Sequence, residues 1–289
     1  MQQEITEKFK KEFIKRTEEM IPLVHQKINK YTIQLLSKGG KYGYKPLGTS
    51  IFVFLNNTYL LFTASHVAEY AANNNVYVLV EGNMIPITGI LYRTEYKAAK
   101  NNLDYGHIWI NILIAKLLLL SYEFIDVSRI WHSHELIPWD RNYLIVGYPE
   151  WAINHDKMRK TTSPYSVSLW TYMSKPIVYK YYDINQDENF VVELWQRERI
   201  IRNGKKEKVG DYHGISGCGL WYLFPKLDPP SFEFDYFLIG LVVGFKKGRF
   251  HVCIANKVDF ILNDLVVMHG FKFLKGRAGI LFEPPLDKS

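Results

Sequence analysis

Two cysteines, Cys218 and Cys253, are all that this 289-residue sequence carries. That is too few for the disulfide framework of a small secreted domain. Long apolar runs are also missing. The most apolar stretch, Ile108 to Leu120, is broken by Asn111 and Lys116 and is too short to span a bilayer. Met1 to Met20 is charged throughout and lacks the apolar segment of a secretion signal. The pair His132 and His134 would share one face of a strand, yet no cysteine or acidic cluster accompanies them, so a surface loop is expected rather than a metal site. No internal repeat, low-complexity tract or nucleic-acid-binding motif accompanies the net charge of +7. These absences imply a soluble, cytoplasmic protein with no cofactor, no metal, no membrane partner and no nucleic-acid partner. The basic excess, spread over Lys8, Lys10, Lys11, Arg197, Arg199, Lys205, Lys206, Lys208, Lys246 and Lys247, reads as a solvated surface with a weak attraction for acidic partners.

What the sequence does have is apolar and aromatic weight: 47% and 15% of residues, with 20 Tyr and 17 Phe. This is enough to build a core, and it favours strands. The length accommodates two modest domains or one large one. Residues Glu4 to Leu36 have helical spacing, with Ile5, Phe9 and Phe13 at intervals of four. Pro22 is expected to break the helix, and a second helix with Val24, Ile28, Tyr31 and Leu35 on one face would run to Gly39-Gly40. This extension is expected either to pack on the domain behind it or to dock a regulatory partner.

From Gly48 the texture changes. Ser50 to Leu55 and Tyr59 to Thr63 flank Asn56-Asn57, which is a hairpin pattern. Short strands are then expected at Val76–Val80, Ile85–Tyr92, His107–Ile110 and Tyr143–Val146. A second series is expected at Ser166–Tyr172, Ile177–Tyr181, Phe190–Trp195, Leu220–Phe224, Phe237–Val243 and Phe250–Ile254, with a helix over Ala255–Leu265. Many short strands separated by turns predict sandwich or barrel folds.

The chemistry gathers at Gly214-Ile215-Ser216-Gly217-Cys218-Gly219, a glycine-flanked serine that opens into a strand. Glycine allows a tight turn and a close main-chain approach. The N–H groups of Gly214 and Ser216 could then face one spot, as an oxyanion hole requires. Upstream lie His66, in Thr63-Ala64-Ser65-His66, and Asp104, in Leu103-Asp104-Tyr105-Gly106. The order His, Asp, Ser is one of three in which the same triad geometry occurs. Asp126, in Phe124-Ile125-Asp126-Val127-Ser128, has a similar setting to Asp104 and is the alternative acid. Cys218 is a weaker alternative nucleophile, and His107 is expected to be packed.

These blocks resemble those of trypsin-like (chymotrypsin-fold) serine peptidases, especially bacterial members without disulfides. Thr63-Ala64-Ser65-His66 looks like their Thr-Ala-Ala-His, and Asp104 with Gly106 like their Asp-hydrophobic-Ala. Tyr143 to Pro149 resembles a strand ending in Gly-Tyr-Pro, Gly214 to Gly217 resembles Gly-Asp-Ser-Gly, and Leu238 to Val243 resembles the strand lining the substrate cleft. The resemblance covers roughly Gly48 to Leu265. It implies a mainly β fold with two six-stranded antiparallel barrels, an N-terminal helical extension (1–40), a first barrel (41–150), and a second barrel with a C-terminal helix (151–289).

The activity it implies is hydrolysis of peptide bonds in a protein or peptide substrate, with Ser216 as nucleophile, His66 as base and Asp104 as its orienter. Gly214 and Ser216 would hold the oxyanion. A substrate pocket would be formed by Val209 to His213 and by Val242, Val243, Gly244 and Phe245, with His213 facing an acidic side chain. Ile215 replaces the family's Asp, which argues against activation by a freed N-terminus. Cys218 and Gly219 also depart from the pattern. Bacterial proteins of this kind sometimes act as partner-triggered effectors in stress or anti-phage defence. Here an activating protein would dock on the N-terminal helices or on the connection Gln196 to Gly210. The competing expectations are a catalytically inactive barrel kept as a protein-binding module, and an esterase on the same triad.

Overall fold

Short apolar strands pair into two antiparallel sheets in the computed structural model, which describes residues 2–39, 43–73, 75–94, 103–132, 142–156, 161–194, 199–202, 205–208, 212–226, 233–275 and 281–282. The chain begins with helix α1 (Gln2–Asn29), which runs through Pro22 without ending there. Ile21, Val24 and Ile28 form its buried stripe. Thr32 closes the helix by donating its hydroxyl to the Ile28 carbonyl at 3.0 Å.

The second helix expected up to Leu36 is instead strand β1 (Thr32–Lys38). Its seven residues pair along β2 (Tyr44–Leu55), and both of its faces are buried. The near-continuous apolar run fits a central strand as well as a helix face, and the cross-strand partner decides between them. Then follow β3 (Thr58–Ala64), α2 (Ser65–Asn73), β4 (Val76–Val80), β5 (Asn83–Ile87), β6 (Gly89–Arg93), β7 (Tyr105–Ile110) and α3 (Ile112–Leu118). The first sheet has seven strands in the order β5-β4-β1-β2-β3-β7-β6.

The second sheet starts at β8 (Tyr143–Gly147). A small hairpin, β9 (Ile153–Asp156) with β10 (Thr161–Pro164), precedes β11 (Val167–Thr171). Residues expected as a strand at Ile177–Tyr181 form helix α4 (Pro176–Tyr182) instead. Pro176 sits in its first turn, where the missing N–H costs nothing. After β12 (Asn189–Glu193) comes a second hairpin, β13 (Arg199–Arg202) with β14 (Lys205–Lys208). Next are β15 (Gly219–Lys226), β16 (Glu233–Lys246), β17 (Val252–Lys257) and α5 (Val258–His269), then the short pair β18 (Leu274–Lys275) and β19 (Leu281–Phe282). The order in the six-stranded sheet is β11-β8-β15-β16-β17-β12.

Both sheets are curled half-barrels, not closed six-stranded barrels. One core lies between them. It joins Ile21, Val24 and Ile28 of α1 to Leu55 and Leu60 of the first sheet, Trp221 and Leu238 of the second, and Ile261 and Leu265 of α5. Each sheet also encloses a core of its own, around Phe52 and Leu61 in one and around Tyr143 and Phe190 in the other. The packed seam between the sheets brings the end of β3 against the turn that precedes β15.

Candidate active site

Strand β3 ends at Ala64 and the chain turns directly into α2, so His66 sits in that helix's first turn. β7 lies beside β3, with Ala64 facing Tyr105, which delivers Asp104 to the same end of the sheet. His66 Nδ1 lies 2.6 Å from Asp104 Oδ2, and the His66 backbone N–H donates to Asp104 Oδ1 at 2.9 Å. The carboxylate therefore grips both the ring and the main chain of the same residue. The Asp104 carbonyl in turn accepts from the Ser65 N–H at 3.1 Å. The Asp104 side chain is 16% exposed and that of His66 40%.

The second sheet reaches across to hold this pair. The Asp104 N–H donates to Asn256 Oδ1 at 2.7 Å, and Asn256 Nδ2 donates to Asn189 Oδ1 at 2.7 Å. Both asparagines are fully buried. Buried amides need partners, and here they supply them to each other and to the loop that carries Asp104. Asp126, the alternative acid, is spent elsewhere: it caps a short turn at Val127–Arg129 and accepts from Ser128.

Ser216 lies in a turn held by its backbone. The Gly217 N–H donates to the Val242 carbonyl at 2.6 Å, and the Cys218 N–H to Ile215 at 3.0 Å. From the first sheet the Thr49 N–H donates to the Ser216 carbonyl at 2.8 Å. The Thr49 hydroxyl donates to the Gly214 carbonyl at 2.9 Å and accepts from the Tyr148 N–H at 3.2 Å. Gly217 has φ +87°, and a Cβ there would collide with the Thr49 carbonyl and the Thr63 hydroxyl and lie 2.9 Å from the Ala64 nitrogen. Gly217 thus sits against the end of β3, two residues before His66, with Ser216 next to it in the chain. No hydrogen bond joins the Ser216 hydroxyl to His66 among the described residues.

The His213–Gly214 peptide is fixed by Glu150, whose N–H donates to the His213 carbonyl at 2.6 Å. In a planar trans peptide the Gly214 N–H then points to the opposite side, away from the 148–150 turn. Gly214 itself has φ +92°, a conformation open to glycine. Among the described residues neither the Gly214 nor the Ser216 N–H has a hydrogen-bond acceptor. Two unpaired donors, a serine and a carboxylate-bound imidazole share one seam, and that arrangement can support nucleophilic acyl transfer.

The remaining candidates are placed as follows. His213 is exposed, and its ring stands 5.5 Å from that of Phe245. Val242 is buried, while Val243 and Gly244 are half-buried. The β16–β17 pairing slips between Val242 and Gly244. Val209, Gly210 and Asp211 lie outside the described residues, as do Ser133 and His134. His132 Nε2 stands 3.4 Å from Asp259. His107 is packed, 3% exposed and stacked on Tyr92, and burial together with neighbouring His269 pushes its pKa down to about 3. Cys218 is fully buried, and burial first, then Cys253, pushes its thiol far above the usual range. A thiol held protonated in an apolar core is a poor nucleophile.

Thr49, Asn256 and Asn189 carry no motif of their own in the sequence, and Tyr148 stands in the Gly-Tyr-Pro block with no sign there of its partners. Only their partners reveal them. Tyr148 connects the site to α1 by donating to Asn29 at 3.0 Å, and nearby His25 Nε2 lies 2.8 Å from the Ser166 hydroxyl.

The sequence matches no family model and no curated protein.

Proposed function

We propose that the protein is a serine endopeptidase of chymotrypsin-like architecture, working through an acyl-enzyme without a cofactor. The observation that carries this reading is the double grip of Asp104 on His66. It fixes the tautomer with a proton on Nδ1 and leaves Nε2 as the base. Ser216 Oγ attacks the substrate carbonyl while its proton passes to His66 Nε2. The oxyanion is received by the Gly214 and Ser216 N–H groups. His66 then gives the proton to the departing amine, and water repeats the sequence on the acyl-enzyme, returning the carboxylic acid and free Ser216. Asp104 stays ionised and stabilises the imidazolium.

The open link between Ser216 and His66 is compatible with this chemistry, because such contacts tighten when substrate arrives. It also gives a trigger somewhere to act. The contacts from α1 through Asn29 and Tyr148 to the turn at Gly214 offer an activating partner a physical route to the oxyanion donors. The second reading, a binding module without turnover, draws on the same open link and on Ile215, Cys218 and Gly219.

The test is labelling with a fluorophosphonate probe in wild type, Ser216→Ala and His66→Ala. Wild type is expected to be labelled, Ser216→Ala not at all, and His66→Ala at least about 10³-fold more slowly. Wild type unlabelled even with lysate of its host added would favour the binding module.

A further inference from the structure

The cations of this protein are unevenly placed. Lys246, Lys247 and Arg249 stand exposed in the turn between β16 and β17. The β13–β14 hairpin carries Arg199, Arg202, Lys205, Lys206 and Lys208 against a single acid, Glu207. Together these two segments hold a surplus equal to the +7 of the whole chain.

The excursion that holds the hairpin is rooted beside the β16–β17 turn, and the hairpin itself packs against β11. The excursion that contains the hairpin departs from Leu194, whose N–H donates to the His251 carbonyl at 2.7 Å. It returns at Tyr212, whose ring lies 6.0 Å from that of Phe245. Both roots of the excursion therefore flank the 245–251 turn. Within the hairpin the register sets Arg199 opposite Lys208 and Arg202 opposite Lys205. At the end of β12, Glu193 is engaged by the Tyr172 hydroxyl at 3.1 Å.

Lys246, Lys247 and Arg249 also sit at the end of a strand edge that starts at the Gly214–Cys218 turn. β15 pairs with β16 only as far as Leu241, and the last bonds on that side are those of Val242 with Gly217 and Cys218. From 243 to 246 that edge of β16 has no strand partner among the described residues. An unpaired edge accepts an extended peptide as an added strand. Four residues of strand cover about 13 Å, so a peptide held there with its scissile bond at Ser216 meets Lys246 and Arg249 some three to five residues away.

We infer that the substrate of this site is a polypeptide with an acidic segment three to five residues from the bond cleaved, received by the Lys246–Arg249 turn. This inference rests on the endopeptidase reading for its direction, and its test does not depend on turnover. The full chain carrying Ser216→Ala would be titrated against fluorescein-labelled twelve-residue peptides that share a neutral half and differ in a flank of four Glu, four Lys or four Gln. A single-stranded DNA twelve-mer would serve as the competing polyanion. Fluorescence anisotropy would be read at low and at moderate salt.

The Glu peptide is expected to bind at least tenfold tighter than the other two peptides and to weaken as salt rises. Lys246→Glu/Lys247→Glu is expected to lose at least tenfold for the Glu peptide alone. Melting curves, together with the milder Lys246→Gln/Lys247→Gln pair, separate lost charge from lost fold. Equal binding of all three peptides, or binding of none, overturns the inference. DNA bound more tightly than the Glu peptide and released by the same substitutions also overturns it, in favour of a nucleic-acid surface. Fluorophosphonate labelling of the wild type reports on Ser216 separately, so failure of the acidic preference and failure of the peptidase reading give different patterns.

Discussion

The two halves of the site are held by different means. His66 and Asp104 are fixed through side chains, with the carboxylate bonded to ring and main chain and backed by Asn256 and Asn189. The Gly214–Cys218 turn is fixed through main-chain atoms, by Thr49, Val242 and Glu150. Side-chain anchoring turns Nδ1 of the imidazole to the carboxylate and leaves Nε2 for other partners. Main-chain anchoring fixes where N–H groups point while leaving the serine hydroxyl loose. In the proposed mechanism the base is thus preorganised and the nucleophile is the adjustable part, where a substrate would act.

The largest way to break this contrast is Gly217→Ala. The added methyl group meets the Thr49 carbonyl, and φ +87° disfavours it regardless of space. A loss of at least about 2 kcal/mol in urea unfolding is expected, together with loss of fluorophosphonate labelling. A midpoint equal to wild type would show that the turn does not pack as described. Thr49→Val is gentler. It keeps the shape and leaves the Gly214 carbonyl and the Tyr148 N–H without their partner, at about 1–3 kcal/mol. The labelling rate is expected to fall and Thr49→Ser to restore it. Recovery of stability without recovery of rate would reduce Thr49 to a purely structural residue.

The smallest expected effect concerns α1. Burial pushes the His25 pKa from its ordinary 6.5 down to about 4. Between those two values the unfolded chain binds the proton that the folded chain refuses. Stability is therefore full above pH 6.5 and declines as pH falls toward 4. From pH 7.5 to 5.5 the decline attributable to His25 is about 1 kcal/mol. His25→Gln is expected to remove that part of the slope in urea titrations at the two pH values. His107, depressed in the same sense, keeps the remainder. An unchanged slope in His25→Gln would remove His25 from the account.

The same division explains what could be read before the structure was known. The strands around Ile51, Leu61, Val78 and Ile145 were legible because apolar residues and turn residues alternate there at short intervals. His66, Asp104 and Ser216 stood out in the sequence as candidates by residue type, and the structure brings His66 and Asp104 into contact. Strand β1 was misread because a run such as Ile33-Gln34-Leu35-Leu36 suits either period, and its pairing with Gly48 and Ser50 is invisible locally. Ile177–Tyr181 was misread because its apolar run outweighed the helix start at Pro176. Thr49 and Asn256 escaped because their importance lies in partners 165 and 152 residues away. The choice between Asp104 and Asp126 was equally non-local: both have apolar neighbours, and only strand pairing places one of them beside His66.

The central claim is that Asp104, through His66, activates Ser216. The most direct test is the second-order rate of fluorophosphonate labelling at Ser216 in wild type, Asp104→Asn and Asp126→Asn. The account predicts a loss of about 10³–10⁴-fold for Asp104→Asn and a rate within about twofold of wild type for Asp126→Asn, whose side chain caps a turn. Equal rates in wild type and Asp104→Asn would contradict it.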